Sequence, residues 1–477
     1  MTDLDILTDN PVDALCSDLL DLLPTGHALR GELNAVRLGL ASPLRVAVVG
    51  RVSAGKSTLV NALVGRRVAA TAAEDCTRYP VVYREGAPEA AFAVTADDRR
   101  IPLSIEEALG GAPVAPGETV VRLEVALQSA VLHAVSLVDT PGLAATSPNA
   151  LVADEARRLA AGAEVLLYLF RGTVRSDDAR VIDELRLATT APAGRADPGG
   201  LVCTIGLLAH ADNLGAGGWG DDDPMEQARA AAARTAATLP DHFTEVLPVS
   251  GLMAESVRTG RLTEADARLL RTLREAPAAL LRFGASTGAA GVDAQTMVHL
   301  GEVLTPYGLN HGRARSTTSA ELIEWLQQAS GIRGIEEALH RCLVQVRHAR
   351  TSRALEALTA AARRGDVPVE LARRVEEFAH GPAAHVVREV RAERLLTREQ
   401  PSSPLLGELR RWLSLGTLRE RMDAVPADSD PATWAFAQAS RFQAESGTAR
   451  TGAEAEAART LAQSMLHLGQ AVAKETR

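Results

Sequence analysis

The eight residues Gly50-Arg51-Val52-Ser53-Ala54-Gly55-Lys56-Ser57 constrain this chain more than any other stretch. They match G-x-x-x-x-G-K-[ST]. An apolar run, LRVAVVG at 44–50, leads in, and helical character leads out from Ser57 to about 64. A buried parallel strand that turns through glycines into a helix is the context in which this motif wraps phosphate. Glycine lets backbone N–H groups close around the oxygens, and the helix N-terminus adds its positive dipole. Gly50, Arg51, Ser53, Ala54 and Gly55 then form the cradle. Lys56 reaches the β- and γ-phosphates, the Ser57 hydroxyl binds Mg²⁺, and Thr58 follows beside the nucleotide. From the chain's own residue frequencies a chance match has a probability on the order of 10⁻³. Lys56 is moreover one of only two lysines among 51 basic residues, so a lysine here needs a reason.

Further strand ends carry matching signals. Val131–Val138 is an apolar run into Asp139-Thr140-Pro141-Gly142. There a carboxylate can hold a Mg²⁺-bound water and the Gly142 N–H can meet a γ-phosphate. Alone DTPG is a turn; some 80 residues after a P-loop it is the expected second half of a GTPase switch. Asp212 ends the strand-like 201–208 in Leu208-Ala209-His210-Ala211-Asp212. One carboxylate suits the paired N1–H and N2–H₂ donors of guanine, although Ala209 and His210 stand where [NT]K is usual, and the tetrapeptide alone is weak. Ser250-Gly251-Leu252-Met253-Ala254 fits a loop closing over the base and is also weak alone. Thr77, in Cys76-Thr77-Arg78-Tyr79-Pro80, is the candidate switch threonine that completes the Mg²⁺ shell and positions water. The order and strand-end positions of these motifs together carry the assignment.

Strands at 44–50, 121–127, 131–138, 165–170, 201–208 and 245–249 alternate with helices near 150–162, 177–188 and 224–238. This pattern predicts a doubly wound, mostly parallel α/β sheet over roughly 44–255. Asp221–Asp223 reads as a helix start rather than a metal cluster, with Asp223 as N-cap, Pro224 at N1 and Glu226 at N3. Residues 12–40 read as amphipathic helices broken near Pro24. After about 262 strand signals vanish, a loop is expected at Gly284–Gly291, and Ser319–Ser330 and Ile335–Arg364 look helical. Breakers at Gly365–Pro368, Gly381-Pro382, Pro401–Pro404 and Pro426–Pro431 divide the rest into bundle-length helices. The expected domains are 1–42, 43–260 and 261–477.

Composition removes competing classes. A net charge of −9 and 3% aromatics argue against nucleic-acid binding. Four separated cysteines, with no C-x-x-C, argue against zinc modules and disulfide scaffolds and fit a reducing cytoplasm. The acidic start shows no signal peptide, and no apolar run approaches the ~18 residues of a membrane span. Residues 341–421 hold 16 Arg against 10 Asp and Glu. That excess reads first as solvated bundle faces, with a patch for anionic lipid or an acidic partner as the alternative.

The chain resembles the dynamin superfamily in GRVSAGKS, in Thr-Arg-x-Pro at Thr77–Pro80, in LVDTPGL at 137–143 and in PVSGLMA at 248–254. GLLAHADNLGAG, PVSGLMA and ASGIRGIEEAL together resemble the isoniazid-inducible dynamin-like GTPases of actinobacteria. The resemblance is specific over about 44–260 and weaker over 300–365. It implies a GTPase domain on an elongated helical trunk, with helix 12–40 returning to pack beside C-terminal helices. It also implies GTP and GDP with Mg²⁺ as ligands, Ser53, Lys56, Thr77 and Asp139 as the catalytic set, and Ser57, Thr77 and Asp139 around the metal. His210 takes the base-stacking position. Ser53 would organise phosphate and a charge-compensating cation where two GTPase domains meet. Dynamins usually carry a water-orienting Gln where this chain has Val52, and no hydrophobic tip is visible in the trunk.

Two functions follow. One is a GTP-hydrolysing, self-assembling dynamin-like protein with a slow basal rate, cytoplasmic and peripheral at the inner face of the plasma membrane. Its partner would be a second copy or a related dynamin-like paralogue. The other is a GTP-loaded, weakly catalytic scaffold that pairs with a related membrane-binding GTPase.

Overall fold

The computed structural model describes residues 10–69, 78–109, 117–142, 150–188, 202–220, 222–315, 318–364, 367–381, 384–415 and 418–475. Its strands are β1 (Leu44–Gly50), β2 (Val81–Glu85), β3 (Ala90–Thr95), β4 (Arg100–Leu103), β5 (Val120–Leu127), β6 (Val135–Asp139), β7 (Val165–Phe170), β8 (Cys203–Ala209) and β9 (Glu245–Val249). They form one nine-stranded sheet in the order β4-β3-β5-β2-β6-β1-β7-β8-β9. β1 lies between β6 and β7 and is parallel to both, and β8 and β9 continue the parallel run. β2 is antiparallel to β6 but parallel to β5, and β3 is antiparallel to β4 and β5. The parallel half has helices on its faces, so its strands are apolar throughout; β7 and β8 are buried at every residue. The carboxyl ends of β1, β6, β8 and β9 therefore share one sheet edge, where doubly wound folds bind ligands.

The expected α/β fold is present, with three differences in detail. Val131–Val138 is not one strand: Ala130–Ala134 is a helical turn and β6 begins at Val135. An eight-residue apolar run cannot distinguish these by periodicity. β2, β3 and β4 were not legible because they are short and β3 is alanine-rich, and alanine carries little strand preference. The loop expected at 284–291 is shorter, because helix Ala278–Thr287 runs through Gly284. A Cβ at Gly284 would sit 2.5 Å from Met297 Cε, so this glycine marks a close helix contact rather than a break.

The chain divides into two compact units, 43–339 and a second made of 1–42 with 340–477. The first unit reaches past the boundary expected at 260. Leu300, Val303, Leu304, Tyr307, Leu322 and Leu326 bury against the sheet-side core that includes Tyr168, Phe170 and Met253. The helices that carry them, Ala294–Gly312 and Ser319–Ala329, thus belong with the sheet. The second unit is helical. In one of its cores Val12, Leu19, Leu29 and Leu33 pack with Leu355, Leu358, Leu371 and Val375. In the other Leu396, Leu409, Trp412 and Phe442 pack with Leu461 and Met465. Asp223 caps helix Pro224–Thr238 by accepting from Met225 N at 2.8 Å, with Pro224 in the first turn. Among the described residues no helix is long and apolar enough to cross a membrane.

Candidate nucleotide site

The P-loop leaves β1 through Gly50, whose Cβ would lie 2.4 Å from the Leu169 carbonyl oxygen on neighbouring β7. Only glycine fits there. Ser53 and Gly55 take left-handed backbone angles, φ 58° and 92°, and helix Lys56–Val64 starts immediately after. Lys56 is buried and its Nζ donates to the Arg51 carbonyl at 2.9 Å. The ammonium is thereby held inside the loop it closes. Ser57 Oγ donates to Asp139 Oδ2 at 3.2 Å, and Asp139 is fully buried at the end of β6. Thr140 donates to the Val48 carbonyl at 2.8 Å, which fixes the turn after Asp139 against β1. At Gly142 a Cβ would stand 2.7 Å from Val52 Cγ2 and 2.9 Å from Val52 N. The two loops are therefore in contact, with Val52 still half exposed. Thr77 lies outside the described residues.

The base side is built from β8 and β9. His210 adopts αL angles, φ 54° and ψ 38°, which turn the chain out of β8. Its Nε2 lies 3.9 Å from where a Gly55 Cβ would be, so the ring borders the P-loop. Burial, then the Arg171 guanidinium, lowers the imidazole pKa against the opposing effects of Asp212 and the Ser53 backbone. At neutral pH His210 offers a neutral ring, not the cation of a lysine. Asp212 and Ser250 are buried and line one pocket together with Ala54, Gly55 and Thr58. Gly251 starts helix Gly251–Arg258 beside Thr58. The structure thus brings together all the sequence-derived candidates it describes except the Arg51 side chain. Arg51 Nε donates to Asp178 Oδ1 at 2.9 Å, so its guanidinium is turned to helix Ser176–Ala188 and its backbone remains in the loop.

Several supporting residues were not legible. Asp178 also accepts from Tyr168 Oη at 2.7 Å and from Arg175 N at 2.9 Å, and these contacts hold its carboxyl low despite burial. Asn61 accepts from Val68 N and Ala69 N, each at 2.7 Å, and donates to Glu255 Oε1 at 2.7 Å. It anchors the chain just before the segment that contains Thr77. Helix Ala294–Gly312 adds Gly301, Thr305 and Pro306 to the pocket wall. Only the Pro306 break in that helix could have signalled this.

Mg²⁺ is accommodated by the chemistry of the donors: a helix N-terminal hydroxyl and a buried carboxylate, the hard oxygen ligands it takes with phosphate and water.

Sequence comparison with known proteins agrees with the motifs. Residues 46–186 match the model of the dynamin family. Isoniazid-induced protein IniC of Mycobacterium tuberculosis, from two strains, is 32% identical over 246 residues, 49% of this chain and 47% of its own length. The chain spans about half the length of the curated relatives it matches. A structure of an oligomerised bacterial dynamin pair, described as providing a mechanism for long-range sensing and tethering of membranes, covers 98% of this chain and 90% of its own. Its identity is 14% and its TM-score 0.34. A variant of Aquifex aeolicus Era bound to GDP·AlF4⁻ covers 43% of this chain and 50% of its own at 18% identity and TM-score 0.25. Residues 46–186 are thus similar to the dynamin family in sequence as well as in motif order.

Proposed function

We propose that this protein binds GTP with Mg²⁺ and hydrolyses it slowly, and that the rate rises when two nucleotide-binding units meet. The observation that carries the reading is one P-loop that seats Lys56 on the Arg51 carbonyl and Ser57 on Asp139, while its Ala54, Gly55 and Thr58 line a pocket together with Asp212. The P-loop backbone and Lys56 hold the β- and γ-phosphates. Ser57 and Thr77 would hold Mg²⁺, with Asp139 reaching it through a water, and the ion when bound would supply neutralisation of charge on the phosphoryl oxygens. Thr77 and the Gly142 N–H orient the attacking water and the γ-phosphate, and Ser53 faces the partner across the nucleotide. Val52 offers no hydrogen bond to water, so basal turnover is slow. Self-association, pairing with a related paralogue, and salt-sensitive attraction to anionic lipid through the arginines of 341–421 belong to the same reading.

Guanine preference rests on Asp212. Two charge-assisted bonds at about 1.5–3 kcal/mol each favour GDP over ADP by roughly 10²–10⁴. Titration calorimetry tests it: Asp212→Asn weakens GDP and gains xanthosine diphosphate, whose ring has a carbonyl at position 2. Equal affinity of the wild type for ADP and GDP contradicts the reading.

A further inference from the structure

Helix Ala294–Gly312 is interrupted at Thr305, with φ 62° and ψ 166°. That backbone region is essentially reserved for glycine, and a β-branched residue held in it is strained. The Thr305 hydroxyl carries a second cost. The residue is 5% exposed and its Oγ1 has no hydrogen-bond partner among the described residues. Buried hydroxyls are nearly always paired, and strain of this kind collects at functional sites. Both costs fall on one residue, and that residue lines the pocket of Asp212, Ser250 and His210.

The neighbourhood explains how the break is held. A Cβ at Gly218 would stand 2.2 Å from Tyr307 N, and Asn310 Nδ2 donates to the Gly218 carbonyl at 3.0 Å. The loop that follows Asp212 is therefore seated on the helix just past its break. Gly301, one turn before the break, also lines the pocket, and a Cβ there would meet nothing within 4 Å.

We propose that helix Ala294–Gly312 is a third wall of the base pocket, and that Thr305 donates its hydroxyl proton to the acceptor edge of guanine, O6 or N7. The inference rests on the GTP reading above. Asp212 accepts from N1–H and N2–H₂, which leaves O6 and N7 in need of donors. Ala209, at the position where an Asn or Thr side chain is usual, supplies none. Thr305 supplies it from a different element.

The test is titration calorimetry of the full chain with GDP and inosine diphosphate, alongside the melting temperature of the nucleotide-free protein. Thr305→Val is expected to weaken GDP about tenfold, and inosine diphosphate by the same factor because that base keeps O6 and N7. Thr305→Ser is expected to bind as the wild type. Thr305→Gly relieves the backbone, so it is expected to raise the melting temperature while still weakening GDP. Gly301→Leu fills the pocket and is expected to weaken both nucleotides without lowering the melting temperature. If Thr305→Val binds GDP as tightly as the wild type, or Thr305→Ser and Thr305→Gly lose affinity together with stability, the inference falls and the GTP reading stands. If the wild type does not prefer GDP to ADP, the GTP reading itself falls.

Discussion

Lys56 shows what a single residue contributes to this site. Its ammonium is buried and rests on the Arg51 carbonyl, so the loop is already shaped around a cation before phosphate arrives. Lys56→Ala removes that charge. At about 1.5–3 kcal/mol for an ionised hydrogen bond, before phosphate repulsion is counted, GDP affinity is expected to fall at least tenfold to a hundredfold. Calorimetry on the folded variant checks it, and unchanged affinity would defeat the P-loop assignment. The residues legible in the sequence are those whose chemistry is written in contiguous motifs: Lys56, Ser57, Asp139, Asp212 and Ser250. Asp178 and Asn61 were not legible because each acts on a partner far along the chain, and Thr305 because it joins the pocket from a helix far from the motifs. Asp178 meets Arg51 across 127 positions and Asn61 meets Glu255 across 194. No local pattern marks such residues.

Elements behave similarly. The parallel strands were readable because burial on both faces makes them continuous apolar runs, and helix Pro224–Thr238 was readable from its cap. β2, β3 and β4 were not, and neither was the membership of helix Ala294–Gly312 in the sheet unit, which depends on side chains packing into the core that also holds Tyr168, Phe170 and Met253. The contact of that helix with the loop after Asp212 makes a specific prediction. Gly218→Ala drives a Cβ into the Tyr307 backbone, which cannot yield as a flexible side chain would. Overpacking of this kind costs about 1–3 kcal/mol. The expected result is a lower melting temperature with weakened GDP binding, since Asp212 precedes the displaced loop. Wild-type values for both contradict the seating of the loop on the helix.

At the scale of the whole molecule, the helical unit contains a buried polar network that the nucleotide site does not use. Glu389 accepts from Trp412 Nε1 at 3.0 Å and Ser464 Oγ at 2.6 Å, and pairs with Arg421 at 3.3 Å. Burial alone would raise its carboxyl pKa, but Arg421 and the Ser464 hydrogen bond outweigh it and hold the group low. His385 Nε2 meets Ser464 Oγ at 2.9 Å. Burial pushes both His348 and His385 down to about 4. Above the ordinary imidazole pKa of 6.5, folded and unfolded chains are equally neutral at these two positions. As the pH falls from there to about 4, the unfolded chain takes up protons that the folded chain refuses, so stability drops through that window. The cost is about 1.4 kcal/mol per group per pH unit at most, and Glu389 adds loss of the same sign at the acid end. Hydrogen exchange in helix His385–Glu399, corrected for the intrinsic rate, is expected to lose protection between neutral pH and the acid end of the window. Constant protection contradicts it. The central claim concerns the nucleotide cycle, and single-turnover phosphate release from GTP, measured at low and high protein concentration, tests it most directly. The account predicts slow release that needs Mg²⁺ and accelerates per molecule with concentration, with Val52→Gln raising the rate at low concentration. No release from GTP at any concentration, or a fast rate independent of both concentration and Val52→Gln, would contradict it.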